Sequence, residues 1–469
     1  MRPTLVALAL LAFAAPGARA ASLDVTASYD MKAVEYKNLD LGRDVNNHSF
    51  IDNNARLGIA VKKIVLDSRG AEDTTLDLGL LLHAIGVAGS TVAVATPFDR
   101  AAAYYPSTNL TPFIENAYVR VNRLWGDPIT ATFGRQNFRL GSGLLLDDDG
   151  AGFTGATVRI EYPWSGLKSV FFLFQDKNPQ ASAPNSLTLA GFSLDLPTEG
   201  TWQLNQLIER DQSSQLVYGC AFNGTGPNGA DPTQTVGCAV SKAFRSFTSA
   251  RYQISYGPMV FDGEAAIEKG VATPTGLNPA PNHITYNADA EVVKAKWKQS
   301  LYHVGEGIAR LSLARGSGNR GGTGGQSTTD QAFYPTHGHR YDGLERSGFG
   351  DFYAATPYDA FGGNYSSTTK SGLPPNTSGI MVVGAGFTTP SFRGFLIDLD
   401  GFLYQATRAS SGASGFGSTL GNELDVHLRY PIRDQFSLSC GMAYFKAGQI
   451  SDPNQGISRK YTFEASGHF

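Results

Sequence analysis

Beyond residue 20 the chain has no uninterrupted apolar run of the ~20 residues that a membrane helix requires. That excludes a helical membrane protein. Cysteine is scarce, 3 in 469 residues, so this is not a small fold built on disulfides. Charge of either sign is not in excess: 38 Lys and Arg stand against 41 Asp and Glu. Such a balance is too mild to argue for nucleic acid or any charged partner. Catalytic signatures are missing as well. There is no P-loop, no G-x-S-x-G and no H-E-x-x-H. Ser367-Thr368-Thr369-Lys370 matches S-x-x-K, but that motif needs a helix to bring lysine to serine, and Gly372 with Pro374-Pro375 forbids one. No enzyme activity and no cofactor are expected.

What the chain does have is glycine and aromatics: 54 Gly, 28 Phe and 20 Tyr, with only 42 % hydrophobic residues. A sheet that faces lipid on one side and water on the other needs an apolar residue only at every second position. The last thirteen residues show that period. Tyr461, Phe463, Ala465, Gly467 and Phe469 fall on one face, and Lys460, Thr462, Glu464, Ser466 and His468 on the other. A strand in a bilayer cannot leave an edge open, so this one is expected to close on the first, Leu23 to Met31. The aromatic terminus Phe469 is the expected signal to the assembly machinery of an outer membrane.

Met1 to Ala20 reads as a secretory signal peptide: Arg2, an apolar run from Leu5 to Ala15, and Ala18-Arg19-Ala20 as the cleavage site before Ala21. Residues 21–469 then form one domain. Without Arg2 and Arg19 it carries 36 basic and 41 acidic residues, a net charge of −5. Alternating segments are expected at 23–31, 55–61, 76–82, 113–123, 128–137, 153–162 and 167–177. A hairpin of 202–208 with 215–222 follows. The rest are 244–257, 258–269, 285–299, 300–314, 379–389, 391–407, 419–431, 435–448 and the closing strand. Tight connections such as Tyr256-Gly257-Pro258 and Pro163-Trp164-Ser165-Gly166 alternate with long ones. The long outer loops are expected at 86–112, 178–200, 223–243 and 315–378, with further ones at 138–152 and 270–284. The fold expected is all-β: a transmembrane antiparallel barrel of eighteen strands, or sixteen if the 200–222 hairpin is a loop. Short turns would face the periplasm and long loops the outside of a Gram-negative cell.

Charge on the lipid face costs ~2–4 kcal/mol at mid-membrane, so the charged residues that alternate with apolar ones are assigned to the lumen. These are Arg120, Arg159 and Glu161, Asp262 and Glu264, the row Lys294, Lys296 and Lys298, and Asp425 with Arg429. Rings of charge in a hydrated lumen set selectivity. His337, His339 and Asp342, within the 315–378 loop, are candidates for a constriction; their spacing is a weak match to a metal site, and no metal is assigned. Asp147-Asp148-Asp149 lacks the spaced ligands of a calcium loop and reads as a solvated acidic turn. Cys220 and Cys238 bracket a Gly/Asn/Pro-rich stretch and are candidates for a disulfide. Cys440, between Leu438 and Met442, reads as a small apolar residue on the lipid face.

Three stretches resemble the alginate-export family of outer-membrane barrels. One runs from Phe113-Ile114-Glu115-Asn116-Ala117-Tyr118-Val119-Arg120 through Gly134-Arg135-Gln136 to Phe153-Thr154-Gly155-Ala156-Thr157-Val158-Arg159. The second is Tyr334-Pro335-Thr336-His337-Gly338-His339 to Gly343. The third joins Gly421-Asn422-Glu423-Leu424-Asp425 to Ala443-Tyr444-Phe445-Lys446-Ala447-Gly448. The resemblance covers about a quarter of the chain and implies an eighteen-stranded conduit for an anionic polysaccharide, with Arg120, Arg135 and Arg159 in its lumen. Arg135, however, is in phase with Ile129, Ala131 and Phe133, so it lines the lumen only if Gly134 bulges the strand or the residue lies at the rim. The function expected is a channel or porin for a hydrophilic solute, an oligosaccharide or an organic anion. The alternative is a plugged barrel that anchors a surface-binding loop.

Overall fold

The computed structural model describes residues 21–469 apart from 39–46, 69–71, 90–108, 177–186, 213–215, 218–237, 276–282, 302–304, 319–328, 337–348, 355–360, 362–376, 410–417, 434 and 452–453. The expected signal peptide therefore lies outside the described residues. Eighteen antiparallel strands follow one another around a single closed sheet. The first six are β1 (Ser22–Lys37), β2 (His48–Asp67), β3 (Thr74–Gly89), β4 (Phe113–Asn122), β5 (Ile129–Gln136) and β6 (Phe153–Glu161). Next come β7 (Lys168–Asp176), β8 (Leu187–Pro197), β9 (Thr201–Asp211), β10 (Cys238–Tyr256), β11 (Met259–Thr275) and β12 (Ile284–Leu301). The circle ends with β13 (Gly305–Gly316), β14 (Thr377–Thr388), β15 (Leu396–Ala409), β16 (Thr419–Ile432), β17 (Phe436–Ala447) and β18 (Ile457–His468).

The last strand closes on the first. β18 pairs with β1 from Ser28–His468 to Lys37–Arg459, further along β1 than Met31. The backbone of Phe469 exchanges two hydrogen bonds with Ala27. Closure leaves no edge to aggregate or to face lipid unpaired.

One rim carries only short turns. Gly257 (φ +53°) allows the two-residue turn between β10 and β11. At the other rim the connections are long, and several strands exceed what a bilayer needs: β2, β10, β11 and β12 have 20, 19, 17 and 18 residues, against the ~9–11 needed to cross it.

Eighteen strands were expected, but one is a different segment. Leu187–Pro197, read as part of a 178–200 loop, is β8, joined to β9 by a tight turn in which Thr198 N–H donates to the Gly200 carbonyl. The segment expected as a strand at 215–222 contributes only Leu216–Val217, paired with the start of β10. That same strand begins at Cys238, inside the expected 223–243 loop.

The outward face is apolar through the middle of the wall. Leu57 and Ile59, Leu78 and Leu80, Leu311 and Leu313, Leu399 and Leu403 are all exposed there, Leu403 by 55 %. Exposed apolar surface on this scale marks a face meant for something other than water. Cys440 is a free, exposed thiol on this face, opposite Leu428 and Phe463.

Candidate channel through the lumen

The lumen is divided. On the side of β5–β9 it is filled by apolar groups, because the connection between β5 and β6 folds inward. Leu140, Leu144, Leu145 and Leu146 are buried against Phe153, Phe172 and Phe174 from β6 and β7 and Leu187, Leu189 and Leu207 from β8 and β9. The Phe138 ring lies tilted against those of Phe172 and Phe174, with centroids 4.7 and 5.0 Å away. The far tip of this loop reaches β10 and β11: Ser142 N–H donates to Glu264 (2.8 Å) and Arg251 donates to the Gly141 carbonyl (2.8 Å).

The three aspartates at its base are buried, not solvated. Asp148 accepts from the backbone N–H groups of Phe138 (2.9 Å) and Gly152 (3.1 Å) and from the Asn137 amide (3.1 Å). Burial, with Asp147 and Glu115 beside it, pushes its carboxyl up to about 7. The apolar tip carries the base into the wall with it, which is why a carboxylate cluster ends up away from water. Among the described residues no three His, Cys, Asp or Glu side chains are arranged to hold a metal ion.

The described parts of the connection between β13 and β14 also lie inside. Around Tyr334 the wall grips with charge: Arg245 is buried between Glu209 (2.8 Å) and Glu268 (3.1 Å) and donates to the Tyr334 carbonyl. Glu268 accepts from Tyr334 N–H, and Glu209 accepts from the Thr336 hydroxyl. Further along, Glu423 accepts from the N–H groups of Asp351, Phe352 and Tyr353 at 2.6 to 2.9 Å. Asp425 accepts from Asp351 N–H, His427 pairs with the Asp351 carboxylate, and Lys460 donates to its carbonyl.

What stays open lies along β12–β18 and β1. A cavity of about 520 Å³ is bordered by Lys32, Lys294, Lys296, Arg310, Arg429 and Lys460, six cations against the carboxylates of Asp351, Asp398, Asp400 and Glu464. Arg310 and Arg429 are tied to those carboxylates: Arg310 reaches Asp398 (3.1 Å) and Asp400 (3.0 Å), and Arg429 reaches Asp398 (2.5 Å). Lys294, Lys296 and Lys298 form no ion pair among the described residues. A smaller cavity of about 130 Å³ adjoins Arg139, Arg251, Asp262 and Glu264. Lys294 and Phe349 border both spaces, with the ammonium 5.6 Å from the ring, so the narrowing falls there.

The residues expected in the lumen fall as follows. Arg120 points inward near the short-turn rim, over the Tyr118 ring (4.8 Å) and donating to Thr132 (3.2 Å). Arg159 and Glu161 share that inward phase, opposite Thr130 and Lys168. Asp262 pairs with Arg251 (2.6 Å), Glu264 holds Ser142, and Asp425 is fully buried. Arg135 is the exception. Its register partners are Ala117 and Thr154, on the outward face with Phe133. Gly134 keeps the register unbroken despite its φ of +114°, where a Cβ would collide with the Ala117 carbonyl. With no bulge to turn it inward, the Arg135 guanidinium instead bonds the Ile114 carbonyl (3.0 Å) and the Thr154 hydroxyl (3.2 Å). His337, His339, Asp342 and Cys220 lie outside the described residues, as does the side chain of Cys238.

Pattern reading missed Arg245, Arg251, Arg310, Asp398 and Asp400; Lys460 it placed on the polar face of the closing strand. Asp398 and Asp400 were visible, since they alternate with Ile397 and Leu399. The inward loop also had a signal, the three consecutive leucines 144–146 in what otherwise reads as a polar connection.

Among solved structures, Acinetobacter baumannii OccAB1 matches at a TM-score of 0.52 with 9 % identity, over 95 % of this chain and 96 % of that one. Pseudomonas aeruginosa OccK5 (OpdH) matches at 0.47 with 11 % identity, over 95 % and 98 % of the two chains. The outer membrane protein OpdK from Pseudomonas aeruginosa matches at 0.47 with 12 % identity, over 95 % and 98 %. No protein-family model matches the chain, and no curated protein does. The likeness is one of fold, and none of these matches supports the alginate-export resemblance.

Proposed function

We propose that this chain is an outer-membrane channel that passes small hydrophilic anions along the lysine-bearing side of its lumen. The apolar outward belt supports the membrane setting, and the closed eighteen-strand wall supplies the only kind of sheet that a bilayer tolerates. On this reading a signal peptide directs export, and the strand ending in Phe469 is what the assembly machinery recognises. The observation that carries the proposal is the row Lys294, Lys296 and Lys298, three inward ammonium groups without an ion-pair partner among the described residues, two of them bordering the open cavity. Unpaired charge in a narrow hydrated passage attracts the opposite sign and repels its own.

The size of the passage favours a small solute or an oligosaccharide over a long polysaccharide. A cavity near 520 Å³ is of the order of small-molecule sites, roughly 300–1,000 Å³, and two inward segments interrupt it. The test is reversal potential in a salt gradient, comparing the native chain with Lys294→Gln/Lys296→Gln/Lys298→Gln. The triple variant is expected to insert normally and to lose most of its preference for anions. An unchanged reversal potential would remove these lysines from the selectivity mechanism. The competing reading, a plugged barrel carrying a surface-binding loop, draws on the inward packing of residues 331–336 and 349–354; it predicts no steady current from the native chain.

A further inference from the structure

Outside the lumen, high on the wall between β11 and β15, a groove of about 400 Å³ carries three cations, Lys269, Arg315 and Arg408, against one carboxylate, Asp289. Lys269 and Asp289 belong to the outward face, because the residues next to them, Glu268, Ala288 and Ala290, are the buried inward ones. The groove begins where the apolar belt ends. Going up the outward face, Ile267 is followed by Lys269, Val293 by Glu291, Leu313 by Arg315 and Leu403 by Gln405. The registers bring these changes to neighbouring positions, with Glu291 opposite Arg315 and Asn287 opposite Lys269. Arg315 is held by both nearby carboxylates, Asp289 at 2.6 Å and Glu291 at 3.0 Å, so one cation there faces two anions. Lys269 and Arg408 form no ion pair among the described residues, and with both carboxylates counted the groove carries one net positive charge, beside the amide of Asn287.

We propose that this groove seats the phosphate of a lipid headgroup in the leaflet nearest the long loops. Lys269 and Arg408 would contact the phosphate oxygens, and the Asn287 amide would hydrogen-bond the polar head. A lipid fits better than free phosphate because Ile267, exposed by 51 % at the lower edge of the groove, and Val293 and Leu313 below give its acyl chains a wall to follow. The proposal rests on the membrane reading above, but it does not depend on conduction.

Native mass spectrometry of the full-length detergent-solubilised protein tests it, with three probes: diphosphorylated lipid A, the same lipid without phosphates, and inorganic phosphate. Retention of the diphosphorylated lipid is expected, with Lys269→Gln/Arg408→Gln weakening it roughly thirtyfold, about fivefold for each cation removed near a membrane surface. Equal retention of the dephosphorylated lipid, or an unchanged affinity in the variant, would overturn the proposal. So would displacement by inorganic phosphate in the millimolar range, which would assign the groove to a free anion. Heat-modifiable gel mobility and unitary conductance of the variant are expected to match the native chain. A loss of either would signal failure of the barrel or of the channel reading instead.

Discussion

Arg245 shows what a single buried charge does in this wall. It is among the largest fully buried side chains, it holds Glu209 and Glu268 at once, and its third contact is the backbone of the inward segment at Tyr334. Removing one member of such a cluster strands the others, at a cost of ~3–5 kcal/mol. Arg245→Met should therefore lower the urea midpoint of the refolded barrel and expose residues 331–336 to protease. Arg245→Met/Glu209→Gln/Glu268→Gln, which removes all three charges, should recover much of that loss. Equal instability in the triple variant would mean that the cluster acts through shape, not charge.

Asp148 gives a pH prediction at the same scale. Its carboxyl is pushed up to about 7 in the inward loop, above the ordinary value near 3.9. The inserted loop thus binds the proton more tightly than a released loop does. Insertion is favoured while the group is protonated, weakens as pH rises from about 4, and has lost that contribution above about 7. Channel noise from loop excursions should grow between pH 5 and pH 8, and Asp148→Asn should flatten that dependence. A variant that keeps the full pH step would place its origin elsewhere. At this scale the sequence revealed which residues face inward, because a strand has a period of two. It did not reveal partners: Arg310 and Asp400 are 90 residues apart, and they meet because both lie opposite Gly386, which has no side chain to part them.

Among elements, β8 and the inward loop were missed for one shared reason. Leu187–Pro197 has apolar residues on both faces: Leu187 and Leu189 point inward, Phe192 outward. The alternation that betrays the other strands is lost there because the lumen beside it is filled by Leu140 and Leu144–Leu146 rather than by water. A reading that assumed a wet interior everywhere could find neither the strand nor the apolar loop that packs on it. The closing strand, with polar groups inside and Phe463 outside, kept its pattern and was legible, although its register along β1 was not. The long connection between β13 and β14 gives the prediction at this scale. Deleting residues 318–376 removes the groups held by Glu209, Glu268 and Glu423 and should raise unitary conductance severalfold. A deletion that leaves conductance unchanged would mean that these segments do not obstruct the path.

For the molecule as a whole, the account joins three features: a wall with no edge, an outward belt of apolar residues, and a lumen narrowed from two sides around a lysine row. Each has a separate cause in the sequence, and the proposed passage needs all three. On the proposed reading the belt sets the barrel in lipid, closure keeps its backbone satisfied there, and the inward loops direct a solute past Lys294. The most direct measurement is single-channel current of the refolded native chain in a planar bilayer under a salt gradient. Steady openings with a reversal potential on the anion side are the predicted result. A barrel that refolds and inserts but stays closed, or one that prefers cations, would contradict the central claim.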